Sequence, residues 1–491
     1  MSLIKKLAGE TALYGLSSIV GRFLNYLLVP LYTRTLIPAE YGVSNELSAY
    51  AGFLMVIFSY RMESAFFRFG TPVEDRERSY STAVWSLLGS TTVIVAVLLA
   101  FSQPLADFLN YSAHPEYIRW FALILAFDCL AELPFARLRL EQRPRRFVFI
   151  KLFWIVTNIG LNLFWLLFCP WAAKNGWTWV YSVWSPQLGV AYIFLANLAA
   201  SALTLLLLLP QLRAIRWPLD GALWVKMMRY AAPLIIVTFA GIINEMLDRA
   251  ILTRLLPGTL EENRAQLGIY AANYKLAMLI TLFTQAYRYA AEPFFFRHAA
   301  DKNALNIQAS ATKWFTIAAT VGMLGILLFL DVVKGFVGKN FQGGLHVVPI
   351  LLVANLLLGL YYNFSVWYRL KDRTMLGAWI SMGGALITVL LNLWWVPTIG
   401  YVGAAWATLV CYAFMCAATW YTGRKHHPVP YELGRMGLYV AVALLMFGVS
   451  RWLEPMLMAW PVLLWAARAG LFLGFLGLVW ILEKGKKEVV V

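Results

Sequence analysis

Arg22, Arg61, Arg249, Lys275 and Arg288 each interrupt a stretch of sequence that is otherwise apolar. A cation at the centre of a bilayer costs at least ~3 kcal/mol on insertion scales. A chain that keeps several is expected to hold them against water or an acidic ligand. Arg22 falls about ten residues into the stretch 11–36, near mid-depth at ~1.5 Å of rise per residue, and Asn25 shares its face three residues on. A guanidinium is planar, permanently charged and able to grip a phosphate with two bonds. The chemistry these residue types suggest is recognition of an anion, phosphate above all, in a hydrated cavity. For Arg22 the competing reading is an internal salt bridge to Glu245 or Asp248. Lys275, well inside its own apolar stretch, can bind phosphate as a compact charge or pair with Asp248. Arg61 and Arg288 lie near helix ends, where long cations snorkel to the interface; a funnel at the cavity mouth is their functional alternative.

Acidic residues supply a second chemistry. Glu245 and Arg249 are spaced i,i+4 with the acid first, which suits a pair on one face. Glu245 and Asp248 are equally candidates for a proton or sodium coupling site, because buried carboxylates raise their pKa and exchange protons. Asp128 and Glu132, also i,i+4, put like charges on one face. One is then expected to be protonated, or both to meet a basic partner, and a coupling role is the alternative reading. The sequence has no phosphate-binding glycine loop, zinc spacing or nucleophile elbow, so no enzyme and no cofactor are expected. Five histidines make no metal-ligand pattern.

These residues need elements to carry them, and composition says which. The 491 residues are 61% hydrophobic and 13% charged, against about half and a quarter in soluble domains. The apolar excess runs the whole length, and runs such as 84–101, 191–209 and 316–330 lack the alternation of a barrel strand. The expectation is an all-α polytopic membrane protein. Hydropathy gives about fourteen spans: 11–33, 42–64, 82–101, 116–137, 147–168, 187–209, 230–254, 267–290, 312–330, 345–368, 376–396, 401–421, 436–452 and 460–482. The lysines before the first run resemble a signal peptide, but the run is too long and contains Arg22, so it reads as a retained helix.

The net charge of +16 is placed by topology. Alternate connections gather Arg76 and Arg78, then Arg139, Arg143, Arg145 and Arg146, then Arg369, Lys371 and Arg373, and finally Lys484, Lys486 and Lys487. The other connections hold little beyond Arg34, Lys174, Arg254, Arg264, Lys334, Lys339 and Arg451. By the positive-inside rule both termini are cytoplasmic. The basic balance then reflects orientation and contact with anionic membrane lipids, and nucleic acid is not needed to explain it. The tryptophans of the connection 169–186 read as an interfacial belt.

A weak duplication organises the chain. Thr33-Arg34-Thr35-Leu36 returns as Thr253-Arg254-Leu255-Leu256. Tyr60-Arg61, Glu63 and Phe66-Phe67-Arg68 return as Tyr287-Arg288, Glu292 and Phe295-Phe296-Arg297. Asn162 with Pro170 is echoed by Asn392 with Pro397. Six spans separate the copies, so both lobes share one orientation, as in parallel-repeat transporters. The expected domains are a six-helix lobe over 1–212, a second over 213–426, and two further helices with a tail over 427–491. Rocking of one lobe against the other would give alternating access to a shared cavity.

Three sequence stretches resemble the polysaccharide-synthesis flippases of the multidrug/oligosaccharidyl-lipid/polysaccharide exporter superfamily. They are Gly15-Leu16-Ser17-Ser18-Ile19-Val20-Gly21-Arg22, the step Tyr32-Thr33-Arg34…Pro38…Tyr41-Gly42, and Asn392…Pro397…Gly400-Tyr401-Val402-Gly403. The resemblance covers nearly the whole chain in length and span count. It implies a bacterial inner-membrane protein that moves an undecaprenyl-pyrophosphate-linked oligosaccharide, such as a lipopolysaccharide unit, to the periplasmic leaflet through a cationic cavity. Arg22 and Lys275 match that cavity by position class. Implied partners are the lipid-linked glycan and membrane lipids, with H+ or Na+ coupling and polymerase or glycosyltransferase machinery left open. A lipid II flippase and an ion-coupled multidrug exporter of the same fold are the alternatives, and a membrane-embedded glycan polymerase or ligase is disfavoured by the short outer loops.

Overall fold

The computed structural model describes residues 20–212, 215, 218–298, 301–371 and 373–484. Among the described residues there is helix and no strand. Eleven described helices are long and apolar enough to cross a membrane. Residues 11–19 of the first expected span lie outside the described residues, and its described part is broken. Residues 20–26 form helix α1, 27–28 turn, and α2 resumes at Val29–Thr35. Pro30, which has no N–H to give, sits in the first turn of α2, where none is needed. Two more expected spans are helices, Pro38–Ser59 (α3) and Pro115–Leu140 (α7), but are not among the eleven. Each carries charge within its span: Glu46 on α3, Asp128 and Glu132 on α7.

By contact the chain divides into two compact units, Met1–Gly268 and Ile269–Val491. In the first, α3 is followed by α4 (Met62–Gly70), α5 (Val73–Ala100) and the short α6 (Ser102–Phe108). After α7, α8 (Pro144–Leu163) continues through a π-helical turn, Phe164–Phe168, into α9 (Cys169–Lys174). The turn lies just before Pro170, whose missing N–H removes a rung of the ladder. Next come α10 (Ala191–Leu212) and α11 (Gly221–Leu255). Asp220 caps α11, its carboxylate accepting from the Leu223 N–H at 3.0 Å. The second expected lobe, 213–426, thus enters α11 at Gly221.

The second expected span, 42–64, is not one helix. Tyr60 (φ 29°) and Arg61 (φ 58°) are both left-handed, so α3 stops and α4 starts anew at Met62. Two successive non-glycine residues in that region store strain. They are held by the packing of Phe58, Met62, Phe66, Tyr80 and Leu87, which are all fully buried in one core with Leu133 and Met227.

The second unit holds most of α12 (Leu260–Arg297), then α13 (Ala304–Leu328), α14 (Leu330–Val333), α15 (Val348–Phe364), α16 (Val366–Leu370), α17 (Thr374–Ile399) and α18 (Tyr401–His426). Helices α19 (Leu433–Leu457) and α20 (Pro461–Glu483) complete it. α15 and α17 both pack on α18 around Trp367, Tyr412 and Met415, while α19 and α20 pack on α13. Charge pins those last two helices at both ends. Lys313 on α13 donates to Glu483 at 2.7 Å and Glu432 at 3.2 Å, and the buried Arg468 of α20 donates to Asp331 at 2.6 Å. Bonds from Lys334 and Arg468 hold the Asp331 carboxyl below the usual carboxylate range.

The tightest helix approach in the first unit uses two glycines. A Cβ at Gly42 would overlap the carbonyl of Arg264, and one at Gly268 would overlap the carbonyl of Pro38. Both obstacles are backbone and cannot swing away. Gly268→Val is expected to cost about 2–3 kcal/mol and lower the thermal midpoint in detergent, whereas Gly241→Ala, which meets nothing within 4 Å, leaves it unchanged.

Candidate functional site

Three charged constellations lie within the helices, each inside one unit. The first gathers three candidates, Arg61, Asp128 and Glu132, around the break in α3. Arg61 donates to Ser64 Oγ at 2.9 Å and its charge acts on Glu132. Glu132 also feels Glu63, Asp128 and Lys151. Asp128 is bonded to Ser201 and faces Lys151. Lys151 therefore sits among Asp128, Glu132 and Glu63, with its ammonium 4.2 Å from the Phe135 ring centroid. The i,i+4 acids of α7 thus meet basic partners from α8 and the α3–α4 break. From Ser201 a polar track continues through Trp154, which donates to it at 3.3 Å, and the bonded Asn197, Asn158 and Asn162.

At the edge of this cluster Arg139 pairs with Glu63 and lies 4.7 Å from the Phe67 ring. The second unit contains the same trio. Arg369 donates to Glu292 at 2.7 Å and lies 5.9 Å from the Phe296 ring. In each copy the acid precedes the phenylalanine by four residues on the second helix of its half, and the arginine comes from the end of the fourth. Arg288 joins the second trio, donating to Glu292 at 2.9 Å with its guanidinium 3.9 Å from the Tyr362 ring. Both arginines expected to snorkel therefore have protein partners.

The third constellation centres on Glu46, which is 2% exposed. Its two carboxylate oxygens accept from Tyr111 at 2.6 Å, Thr253 at 2.5 Å and Tyr50 at 3.1 Å. Arg264 lies 3.9 Å away, packs over the Tyr111 ring at 4.1 Å and donates to the Asn110 carbonyl at 2.9 Å. Arg254 does the same one step along, donating to the Phe108 carbonyl at 3.0 Å. A buried carboxylate with three hydroxyl donors and a guanidinium is fully solvated by protein. It ties α3, the α6–α7 connection, α11 and the start of α12 together, at the end away from the basic loops. Sequence reading passed over Glu46, although the rule that picks out Arg22, a charge inside an apolar stretch, applies to it equally.

The remaining candidates are spread out. Arg22 is exposed on α1, next to the buried Gly21, which packs against the side chain of Ile155 on α8. Asn25 is half-buried on the same helix. On α11 Glu245 is exposed while Asp248 and Arg249 are buried, and Asp248 accepts from the Arg249 backbone N–H at 2.8 Å. Lys275 is half-buried on α12, its Nζ 4.0 Å from Met278 Sδ. No group of three or more His, Cys, Asp or Glu able to hold a metal ion occurs among the described residues.

The pattern of the family described as "Polysaccharide biosynthesis protein" matches residues 7–299. No curated protein matches the chain in sequence. Among solved structures, "Lipid II flippase MurJ, inward closed conformation" is similar over 95% of this chain and 98% of its own, at 12% identity and TM-score 0.69. A "multidrug resistance MATE family transporter of the MOP superfamily", in an inward-facing conformation, is similar over 82% and 93%, at 14% identity and TM-score 0.58. The Vibrio cholerae MATE transporter VcmN in its bent form is similar over 87% and 97%, at 12% identity and TM-score 0.54. At these identities the likeness is one of fold, and it spans nearly the full length of each.

Replacing Glu46 tests whether its network holds those helices. Glu46→Leu strands three hydroxyls and Arg264, and is expected to cost about 2–3 kcal/mol at ~1 kcal/mol per lost bond. Glu46→Gln keeps an acceptor and should lose less than half of that. Equal thermal midpoints for the two variants in detergent would show that the network contributes nothing.

Proposed function

Because the chain belongs to the polysaccharide biosynthesis protein family, we propose that it is a flippase for an undecaprenyl-pyrophosphate-linked oligosaccharide. The head of such a cargo, sugars on a diphosphate, cannot cross hydrocarbon unaided, while its lipid tail can stay in the bilayer. In this reading Arg22, with Asn25 beside it, and Lys275 receive the diphosphate in a hydrated cavity. The observation that carries it is Arg22 itself: α1 packs through Gly21 and presents the guanidinium on the exposed side. Arg61, which donates to Ser64, and Arg288, which pairs with Glu292, would act as a funnel for the anionic head.

Inner-membrane placement with both termini cytoplasmic belongs to the same proposal, and the basic asymmetry supports it. So does the use of Arg254 and Arg264, exceptions on the sparse side, as clamps on backbone carbonyls. The proposed domains remain 1–212, 213–426 and 427–491. The duplicated Glu–Arg–Phe trio supports the first two as repeats, as do Asn162 and Asn392. Both of these are fully buried, and each donates at 2.8 Å to the carbonyl four residues earlier. The Glu46 network would keep the periplasmic side shut, and Asp128, Glu132 and Lys151, or Glu245 and Asp248, would couple transport to H+ or Na+. Polymerase or glycosyltransferase machinery would supply and take up the cargo.

A lipid II flippase is the second reading, favoured by the extent of the fold match. A multidrug exporter would want an acidic cavity for cationic drugs, and the cations on α1 and α12 speak against it. Purified protein in vesicles with lipid-linked glycan or lipid II, assayed by leaflet accessibility, separates the first two. Arg22→Ala and Lys275→Ala should each slow glycan flipping at least about tenfold, the worth of one charged bond to phosphate, with expression unchanged. Undiminished flipping in both would remove the phosphate site.

A further inference from the structure

The clamp of the second unit holds two arginines for one acid. Arg288 Nε donates to Glu292 Oε1 at 2.9 Å, with Nη2 at 2.9 Å from the same oxygen. Arg369 Nη1 donates to the other oxygen, Oε2, at 2.7 Å. No second carboxylate pairs with either arginine among the described residues, so one positive charge is left over. In the first unit the balance runs the other way. There Glu63 pairs with Arg139, and Glu132 stands near as a further acid. One repeated frame thus carries an acid-rich centre in its first copy and a cation-rich one in its second.

The surplus charge comes with unspent donors. Arg288 Nη1, and Arg369 Nε and Nη2, have no protein acceptor among the described residues. The two side chains are 33% and 36% exposed, so a solute can reach them. Both are also held in place. Arg288 lies 3.9 Å from the Tyr362 ring centroid, which steadies its guanidinium, and Glu292 grips both forks. Guanidiniums already fixed lose less freedom when a ligand arrives. Arg369 ends the short helix α16, beside Lys371 and Arg373 of a basic connection. The trio therefore stands at the water edge of its apolar segments, on the side of the basic loops.

Its shape selects among anions. The forks occupy opposite oxygens of one carboxylate, so a ligand that touches both must carry two anionic centres side by side. A diphosphate does; a single phosphate satisfies one fork. We propose that Arg288 and Arg369 form a docking site for the diphosphate of a lipid-linked ligand, with Glu292 as the residue that orients the two guanidiniums. The inference rests on the flippase reading and adds to it Arg369, which has no part there.

The test titrates the full chain in nanodiscs, by calorimetry, with inorganic phosphate, inorganic pyrophosphate and farnesyl diphosphate. Pyrophosphate should bind about tenfold more tightly than phosphate, the worth of one added charged bond, and farnesyl diphosphate at least as tightly as pyrophosphate. Arg369→Gln should weaken pyrophosphate about tenfold; Arg139→Gln, at the matching position of the first clamp, should leave it unchanged. If the glutamine variant fails to fold, Arg369→Lys keeps the pair with Glu292 but loses the fork, and should weaken binding severalfold. Glu292→Gln separates a ligand site from a purely structural trio. The carboxylate competes with a diphosphate for the same forks, so removing its charge should tighten pyrophosphate severalfold. Affinity unmoved by both Arg369 variants, or not raised by Glu292→Gln, would overturn the site. Equal binding of phosphate and pyrophosphate would overturn its ligand, and farnesyl diphosphate binding more weakly than pyrophosphate would overturn the lipid-linked part. These titrations involve no flipping, so the site can fail while the flippase reading stands. Conversely, the expected affinities in a protein that flips no lipid-linked glycan would sink that reading and keep the diphosphate site.

Discussion

Every charge that this chain carries inside a helix long enough to cross a membrane has to be solvated by something, and in hydrocarbon only protein or trapped water is available. Much of the structure follows from how that demand is met. Glu46 is met by hydroxyls from three directions and a guanidinium. Asp128 and Glu132 are met by Lys151 and Arg61, and Arg468 by Asp331. In each case at least one partner comes from another segment of the chain, so satisfying the charge also fixes which segments stay together. Burial of apolar surface cannot do this in lipid, where tails are as apolar as leucine; packing and polar pairing take its place.

The two units use this device in parallel and then diverge. Glu63 with Arg139 and Phe67, and Glu292 with Arg369 and Phe296, are the same clamp made twice. Around the first clamp the helix breaks at Tyr60 and Arg61, which swings Arg61 toward Glu132. Around the second, α12 runs unbroken through Arg288, which stays on its own helix with Glu292. A duplicated sequence thus supports one acid network joined to α7 and α8, and one simpler ion trio. Coupling chemistry, if it resides in one half, has more partners to work with in the first.

Function is reached by adding a family to this physics. Family membership brings polysaccharide biosynthesis into view, and the fold is shared with a lipid II flippase and with multidrug transporters. Among the proposed cargo contacts, Arg22 is exposed on α1 and Lys275 half-buried on α12. On the side sparse in basic residues, Arg254 and Arg264 are held by the carbonyls of Phe108 and Asn110.

Helical class, approximate spans and the basic asymmetry were legible in the sequence, because each depends on composition within a window of about twenty residues. The duplication was legible too, as matched strings such as Phe66-Phe67-Arg68 and Phe295-Phe296-Arg297. Partners were not. Nothing local says that Glu63 waits for Arg139 or that Lys151 turns in toward Asp128, since those contacts join residues far apart in the chain. Nor could spacing reveal that α3 stops at Tyr60, where the backbone turns left-handed. Sequence decided that charges would lie within the membrane, because residue type alone sets their cost; only the folded chain decided which of them are neutralised, because that depends on which helices meet.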